Sequence, residues 1–285
     1  MNASEFQSLR KFADTRFGRI AYVERGSGPV ALLVHGFPLC GYQWRHALDE
    51  LSPVCVAPDM MGVGYSETPA SQDITFESQA NMLAAFLDAR SIQQVDLVAN
   101  DTGAGVSQVL LSLYPHRVRS VTLTNCEVHD LWPNAMLQQL FIGLKTGVVG
   151  ELFANIVRDP SAAAPLAAAY EYPESLNKES LEMYFTPFAE SEARREQVKG
   201  FSQFERNRDQ LVAAAQGLRA SRIPAQVVWG EGDTAFDGPA SIEWFRSNLG
   251  GLRKVTTIPI AKVFWPEEHP RLLTVLLKEF WSAVK

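Results

Sequence analysis

Continuous apolar runs alternate with stretches of helical periodicity along the first half of the chain. Val30–His35 and Pro53–Asp59 are apolar runs of the kind found in strands buried on both faces. Thr75–Arg90 places its apolar residues at helical spacing, with Thr75 as the expected N-cap. Further segments have the patterns of strands and a helix: Arg19–Gly26, Val95–Asn100, Gly103–Pro115 and Arg119–Cys126. This alternation predicts a doubly wound, mostly parallel sheet.

The pattern changes between residues 130 and 218, where the segments have helical spacing and no strand pattern intervenes. Alternation of strand and helix patterns resumes with the apolar run Ala225–Gly230. We therefore predict an α/β core at residues 1–129 and 219–285 and a helical cap at residues 130–218. Helices inserted between two strands would cover the carboxyl ends of the strands, which is the edge where open α/β sheets bind ligands.

Composition narrows the classes of partner. The 285 residues are 46% hydrophobic and 20% charged, and a net charge of −6 argues against a nucleic acid partner. No apolar stretch approaches the roughly 18 residues that span a bilayer, and the N-terminus lacks the apolar segment of a secretory signal. We therefore expect no membrane partner and a cytoplasmic location. The three cysteines lack metal-ligand spacing, so we expect reduced thiols, no metal and no cofactor; a homodimer is left open.

Three motifs occur in a characteristic order. "HGFP" (His35–Pro38) follows a predicted strand, "PDMMGVGYSETP" (Pro58–Pro69) follows the next, and "VANDTGAG" (Val98–Gly105) joins a predicted strand to a predicted helix. In this order and spacing the motifs resemble the α/β-hydrolase fold over nearly the whole chain. The resemblance implies that backbone N–H groups of Phe37 and Thr102 form an oxyanion hole.

The third motif has an aspartate at the position of the nucleophile. Asp101 lies between the small residues Ala99 and Gly103, which a sharp strand-to-helix turn requires. The start of a helix favours an anion, and a carboxylate there suits displacement at a saturated carbon. The motif resembles the branch of epoxide hydrolases and haloalkane dehalogenases. The alternative is an acidic N-cap in a site that has lost its chemistry.

Within this branch the sequence resembles the epoxide hydrolases more closely. Dehalogenases usually have tryptophan after the nucleophile and often asparagine in the first motif, both as halide donors. This chain has Thr102 and Phe37 at those positions. Epoxide hydrolases use cap tyrosines to protonate the ring oxygen, and Tyr170, Tyr172 and Tyr184 lie in the predicted cap. Each of them could instead only pack its ring.

Further substrate contacts are expected from the first motif and from the cap. His35 and Trp44 are candidates, although a histidine in this loop usually has a structural role. The apolar cap residues that could line a substrate cavity, or form the cap's own core, are Leu137, Leu140, Phe141, Leu152, Phe153, Phe185 and Phe188. They predict a small apolar or amphipathic substrate.

Two carboxylates stand where this fold keeps the acid of its catalytic triad. Asp233 follows the strand at Ala225–Gly230 and occupies the commoner position. Glu127, in "TNCEVHD", occupies the position that one dehalogenase subgroup uses. Either residue could instead cap a loop.

The histidine of the triad is absent from its expected position. Alignment on "FWPEEHP" would place it at residue 263, and this chain has Val263. His129, two residues after Glu127, is the remaining candidate base. Without an imidazolium, like charges at Asp101, Glu127 and Asp233 would repel one another, so we expect a raised pKa or a nearby cation. Lys262 is the candidate cation, either as an electrostatic clamp or as a solvated loop residue.

The leading hypothesis is a small-molecule enzyme of the α/β-hydrolase fold that resembles epoxide hydrolases and has an altered or missing base. A second hypothesis is a lyase, cyclase or isomerase in which Asp101 transfers a proton and no ester forms. A third is a ligand-binding protein without catalytic activity. Fold analogy alone does not decide between them.

Overall fold

The computed structural model describes residues 1–51 and 53–284; Ser52 and Lys285, which the predicted core includes, lie outside the described residues. Among these residues, one sheet contains eight strands. The strands are β1 (Lys11–Thr15), β2 (Gly18–Arg25), β3 (Val30–Val34), β4 (Val54–Pro58), β5 (Val95–Asn100), β6 (Val118–Thr124), β7 (Ala225–Gly230) and β8 (Leu252–Ile258).

Helices connect and flank these strands. They are α1 (Ala3–Ser8), α2 (Arg45–Glu50), α3 (Phe76–Ala89), α4 (Thr102–Leu113), α5 (Ala135–Thr146), α6 (Val148–Ile156), α7 (Ala164–Ala167), α8 (Lys178–Glu190), α9 (Glu192–Gln197), α10 (Phe204–Ala220), α11 (Gly238–Asn248), α12 (Trp265–Glu268) and α13 (Pro270–Ala283). In the described part of the chain, no helix combines the length and the apolar character that a membrane crossing needs.

The sheet has the order β1-β2-β4-β3-β5-β6-β7-β8. β1 and β2 are antiparallel to their neighbours, and the pairs from β4 through β8 are parallel. The predicted mostly parallel sheet is therefore confirmed. Every residue of β5 and β7 is buried, which explains why these strands appear in the sequence as apolar runs. Because the parallel strands end at one edge, the loops after β3, β5, β6 and β7 meet there.

The turn between β5 and α4 is sharp. Asp101 has φ 53° and ψ −133°, a conformation that few non-glycine residues adopt. The turn brings α4 against the end of β3. A Cβ atom at Gly103 would lie 2.3 Å from the His35 carbonyl oxygen and 2.5 Å from that of Val34, so only glycine allows this approach.

Helix α10 differs from the sequence expectation. The predicted boundary at residue 218 assigns it to the cap, but it packs against α3 and α4 of the core. The Asn207 side chain of α10 accepts a hydrogen bond from the Phe76 N–H at 3.0 Å, and Gln210 accepts one from the Glu77 N–H at 2.9 Å. The expected N-cap, Thr75, makes no capping hydrogen bond with its side chain. A long-range partner therefore replaces the local cap at the start of α3.

Candidate active site

A cavity of about 350 Å³ lies between the cap and the carboxyl edge of the sheet. The core contributes Phe37, Pro38, Asp101 and Phe264 to its walls. The cap contributes apolar side chains of α5 and α6, which include Leu137, Leu140, Leu152 and Phe153. Among the described residues that line the cavity, Asp101 alone has an ionisable side chain. The site is therefore one carboxyl group in apolar surroundings.

The remaining predicted cap residues form the core of the cap. Phe141 stacks on Phe204 with ring centroids 5.2 Å apart. Phe185 and Phe188 each pack against Phe153, also at 5.2 Å. These three phenylalanines support the cavity wall from behind and do not line it.

Backbone N–H groups hold the Asp101 carboxyl group. Its Oδ1 accepts a hydrogen bond from the Phe37 N–H at 2.7 Å, and the Thr102 N–H lies close enough to the carboxyl group to lower its pKa. Burial raises the pKa of Asp101 to about 6, and these two N–H groups limit the rise. The donors that the motifs predict for an oxyanion hole therefore face the carboxylate itself.

Glu127 lies behind Asp101, next to the side chain of Thr102. The Glu127 Oε1 atom and the Thr102 hydroxyl are 2.9 Å apart, and Glu127 Oε2 has no hydrogen-bond partner among the described residues. Burial raises the pKa of Glu127 to about 8, and the charge of Asp101 adds to the rise. Glu127 is therefore mostly protonated at neutral pH, which relieves the expected repulsion without a cation.

Asp233 is engaged by a residue that the sequence analysis did not single out. Its Oδ2 accepts a hydrogen bond from the Asn125 side chain at 2.9 Å, and its Oδ1 accepts one from the Ala235 N–H at 2.7 Å. Asn125 also accepts a hydrogen bond from the Gly230 N–H at 2.7 Å. The sequence feature that could have identified Asn125 is its position in the loop after β6, two residues before Glu127.

The position expected for the catalytic histidine is occupied by a buried valine. Val263 is 2% exposed, and its carbonyl oxygen accepts a hydrogen bond from the Asn100 side chain at 2.8 Å. Among the described residues, no histidine lines the cavity. The backbone at this position is thus well fixed, but its side chain cannot accept a proton.

The structure does not bring His129, the candidate base, to the cavity. Its Nδ1 lies 2.6 Å from Asp130 Oδ1, and its ring packs on Trp244 with centroids 5.2 Å apart. His129 is not among the residues that line the cavity. The neighbouring carboxylate and the indole of α11 hold the ring away from Asp101.

The clamp expected at Lys262 is also absent. The Lys262 ammonium donates to the Ala168 carbonyl oxygen of the cap at 2.9 Å. It forms no ion pair with Asp101, Glu127 or Asp233 within the described residues. The expectation fails because a cap carbonyl group binds the side chain.

The hydroxyl groups of the cap tyrosines do not face the cavity. Tyr170 donates to Glu267 Oε2 at 2.8 Å, and Tyr184 donates to Glu267 Oε1 at 2.7 Å. The Arg45 guanidinium also pairs with Glu267, which is 3% exposed. Tyr172 is exposed and packs against His269. None of the three tyrosines lines the cavity, so the structure supports the packing alternative, and a role in protonating a substrate stays a prediction without structural support.

His35 and Trp44 likewise do not contact the cavity. The His35 Nδ1–H donates to the Gly36 carbonyl oxygen, and its Nε2 accepts from the Met60 N–H, both at 2.9 Å. Burial lowers the pKa of His35, so its imidazole is neutral and connects two loops. Trp44 is fully buried within the core. The structure therefore favours structural roles for both residues and does not place either of them at the cavity.

A larger open groove of about 650 Å³ lies near the amino ends of the strands, between Pro29, Pro53 and Trp281. Its charged residues are Asp96 and Arg119, which pair with each other at 2.5 Å, and Lys278, which donates to the Glu50 carbonyl oxygen at 3.5 Å. Among the described residues that line it, the groove therefore has no unpaired carboxylate comparable to Asp101.

Comparisons with known proteins agree with this geometry. A family model described as alpha/beta hydrolase fold matches residues 29–256. A haloalkane dehalogenase of Mesorhizobium japonicum is 29% identical over 184 residues, which cover 62% of this chain and 58% of that enzyme. A cis-3-alkyl-4-alkyloxetan-2-one decarboxylase of Shewanella oneidensis is 25% identical over 248 residues, covering 82% of this chain and 77% of the relative. Epoxide hydrolase 3 of Siraitia grosvenorii is 25% identical over 299 residues, covering 90% of this chain and 92% of the relative.

The bonds to Glu267 predict that the buried tyrosines stabilise the fold. Tyr170→Phe and Tyr184→Phe should each lower the free energy of unfolding by about 1–3 kcal/mol, because each removes a donor from a buried carboxylate. The exposed Tyr172→Phe is the matched control and should change little. Denaturant unfolding measures all three. A loss of about a hundredfold or more in Asp101 reactivity, with unchanged stability, would instead indicate a catalytic tyrosine.

The raised pKa values predict a pH-dependent stability. Asp101 and Glu127 have pKa values of about 6 and about 8 in the folded protein, above their ordinary values, so each of these two groups binds more protons in the folded than in the unfolded chain. Their contribution to the free energy of unfolding should therefore fall as the pH rises from about 4 to about 8. Asp101→Asn should weaken this dependence and raise the melting temperature at pH 8 by roughly 3–6 °C. The exposed Glu174→Gln should do neither, and an unchanged pH slope in Asp101→Asn would contradict the raised pKa.

Proposed function

This chain belongs to the alpha/beta hydrolase fold family, and we propose that it is an enzyme whose Asp101 carboxylate attacks small apolar electrophiles. The observation that carries the proposal is the position of Asp101 as the ionisable side chain of an otherwise apolar cavity. The attack forms a bond between a carboxylate oxygen and a saturated carbon and breaks the bond from that carbon to its leaving group. Epoxides and alkyl halides are the electrophiles to test, because relatives of the chain are named for them.

The surroundings of Asp101 suit such an attack. With a pKa of about 6, raised chiefly by burial, most of the carboxyl group is ionised at neutral pH. Apolar walls leave the anion poorly hydrated, and the Phe37 and Thr102 N–H groups orient it. A cavity of about 350 Å³ limits the substrate to a small molecule.

Among the described residues, no base lines the cavity to catalyse the second half of a hydrolytic cycle. Water must attack the ester, and it is a weak nucleophile unless a base takes its proton. Val263 cannot do so, and Asp233 is already hydrogen-bonded to Asn125 and to the Ala235 N–H. We therefore propose that ester hydrolysis is slow, so that Asp101 reacts readily with electrophiles and is released slowly.

A second candidate function avoids the hydrolytic step. One relative is named as a decarboxylase of a four-membered lactone, and a decarboxylating reaction needs no activated water. Asp101 would attack the ring carbon that bears the lactone oxygen, and the C–O bond would break to release a carboxylate. Loss of CO₂ would then supply the electron pair of a carbon–carbon double bond and expel Asp101 as a carboxylate. The products are an alkene and CO₂, no proton is transferred, and Asp101 is regenerated.

Restoring the histidine tests the hydrolytic proposal. Intact-protein mass spectrometry after incubation with epoxides and alkyl halides should show an adduct on the wild type and none on Asp101→Asn. Val263→His should increase multiple-turnover hydrolysis at least about tenfold and reduce the adduct, because general base catalysis contributes about a hundredfold or more. Val263→Leu, which is also buried but cannot accept a proton, is the matched control. Rapid hydrolysis by the wild type, or equal labelling of Asp101→Asn, would refute the proposal.

The lyase candidate predicts a different product. With cis-disubstituted β-lactones, the wild type and Val263→Leu should both release an alkene and CO₂, and Asp101→Asn should release neither. Gas chromatography with mass detection measures the alkene. In water enriched in heavy oxygen, the Asp101 side chain should gain no label over many turnovers. Formation of the β-hydroxy acid instead of the alkene would reject the lyase route and favour hydrolysis.

A further inference from the structure

Two buried amide side chains connect the loops at the carboxyl edge of the sheet. The Gln43 Oε1 atom accepts a hydrogen bond from the Gly36 N–H at 2.8 Å, and the Gln43 Nε2 atom donates to Asn100 Oδ1 at 2.6 Å. The Asn100 Nδ2 atom donates in turn to the Thr124 hydroxyl and to the Val263 carbonyl oxygen, both at 2.8 Å. Both amides are buried, at 1% exposed or less. They therefore form a continuous hydrogen-bonded chain inside the protein.

The polarity of this chain fixes the orientation of each amide. A side-chain amide has an acceptor oxygen and a donor NH₂ group. Rotating the Gln43 amide would place its NH₂ group against the Gly36 N–H and its oxygen against Asn100 Oδ1, so both bonds would be lost. The Thr124 hydroxyl donates its proton to the Ala99 carbonyl oxygen at 3.1 Å, which leaves its oxygen free to accept from Asn100. A buried network with all its members satisfied is rigid, so it holds the backbone groups that it binds.

The loops that the amide chain holds meet at Asp101. The peptide group after Gly36 supplies the Phe37 N–H, which donates to Asp101 Oδ1 at 2.7 Å. Val263 precedes Phe264, whose ring lines the cavity. A Cβ atom at Gly36 would lie 2.8 Å from both the Asp101 Cβ atom and the Phe264 ring, so the backbone of this loop packs directly against both residues. A small rotation at Gly36 would consequently move the Phe37 N–H relative to the carboxylate.

We propose that Gln43 is a positioning residue: held by Asn100, it fixes the Gly36 peptide group so that the Phe37 N–H stays directed at the Asp101 carboxylate. This inference rests on the proposed role of Asp101 as nucleophile. Within the described residues, Gln43 neither lines the cavity nor hydrogen-bonds to the carboxylate, so it acts through the backbone and takes no part in bond formation. The N–H group that it orients stabilises the anion that attacks.

The charged and titratable groups near Asp101 are independent of the amide chain. They come from the loops after β3, β6 and β7 and are His35, Cys126, Glu127 and Asp233. In the described part of the chain, none of them is hydrogen-bonded to Gln43 or Asn100. Replacing an amide therefore leaves these groups in place, and a change in the titration of Asp101 can be assigned to its N–H donor.

The pH dependence of Asp101 labelling by an epoxide or alkyl halide tests this role. Gln43→Met fills a similar volume and removes both hydrogen bonds of the amide. The midpoint pH of labelling should rise by about 1 unit, because the anion loses a well-placed donor. The affinity for the electrophile, obtained from the saturation of the labelling rate, should change little, since Gln43 is not part of the cavity wall.

Gln79→Met is the matched control. Gln79 is also fully buried, and its amide also binds a loop backbone, through the N–H and the carbonyl oxygen of Met61. This variant should lose stability, as Gln43→Met should, but keep the wild-type midpoint. An unchanged midpoint in Gln43→Met, or an equal shift in Gln79→Met, would overturn the proposal, because either result would reduce Gln43 to a structural residue.

A double-mutant cycle tests the contribution of Asn100. Asn100→Ala removes the group that holds the Gln43 amide, so it should also raise the midpoint. Combining it with Gln43→Met should shift the midpoint no further than the larger single shift, because both changes interrupt one chain. Additive shifts would show that the two amides act separately and would overturn this part of the proposal.

Infrared titration of the Asp101 carboxylate decides the proposal without any electrophile. The carboxylate band that is absent from Asp101→Asn should titrate near pH 6 in the wild type and about 1 unit higher in Gln43→Met. If no electrophile labels Asp101 and the band shifts as expected, the proposed function fails and the positioning role of Gln43 stands. The same midpoint in both proteins would overturn the positioning role, whether or not Asp101 is labelled.

Discussion

The site depends on the backbone turn at Asp101. With φ at 53°, this turn ends β5 and begins α4 within one residue, and α4 reaches the end of β3 only because Gly103 has no side chain. That approach brings the Asp101 carboxyl group to the Phe37 N–H, 2.7 Å away. A strained residue is kept in place by the buried sheet on one side and by the helix on the other. The position of the Asp101 carboxyl group, its Phe37 N–H donor and the floor of the cavity are set by this one turn.

The cap is joined to the core through a second buried carboxylate. Glu267 binds Arg45 of the core and both Tyr170 and Tyr184 of the cap, so it satisfies three buried polar side chains together. These bonds use the hydroxyl groups that could otherwise have faced the substrate. The cavity between cap and core is consequently apolar, and its burial of Asp101 raises the pKa of that residue.

Within the described residues, the polar groups around the position of the absent histidine are hydrogen-bonded, except for Glu127 Oε2. Asn100 binds the Val263 carbonyl oxygen, and Asn125 binds Asp233. Glu127, which has no imidazole to hold, remains next to Thr102. In the proposed mechanism the carboxylate for nucleophilic attack thus faces the cavity, whereas no group that could activate water does so among the described residues. This asymmetry explains why both functional proposals begin with Asp101 and differ only in how Asp101 is released.

The sequence by itself determined the sheet, the sharp turn at Asp101 and the absence of a base at Val263, because each is encoded locally by an apolar run or a short motif. Only the tertiary structure decided the roles of His129, Lys262 and Tyr170. Each side chain is oriented by its contacts. Asp130 and Trp244 hold the His129 ring, the Ala168 carbonyl oxygen binds the Lys262 ammonium, and Glu267 binds the Tyr170 hydroxyl. A long polar side chain adopts the rotamer that satisfies its hydrogen bonds, and that choice is fixed when distant segments pack together.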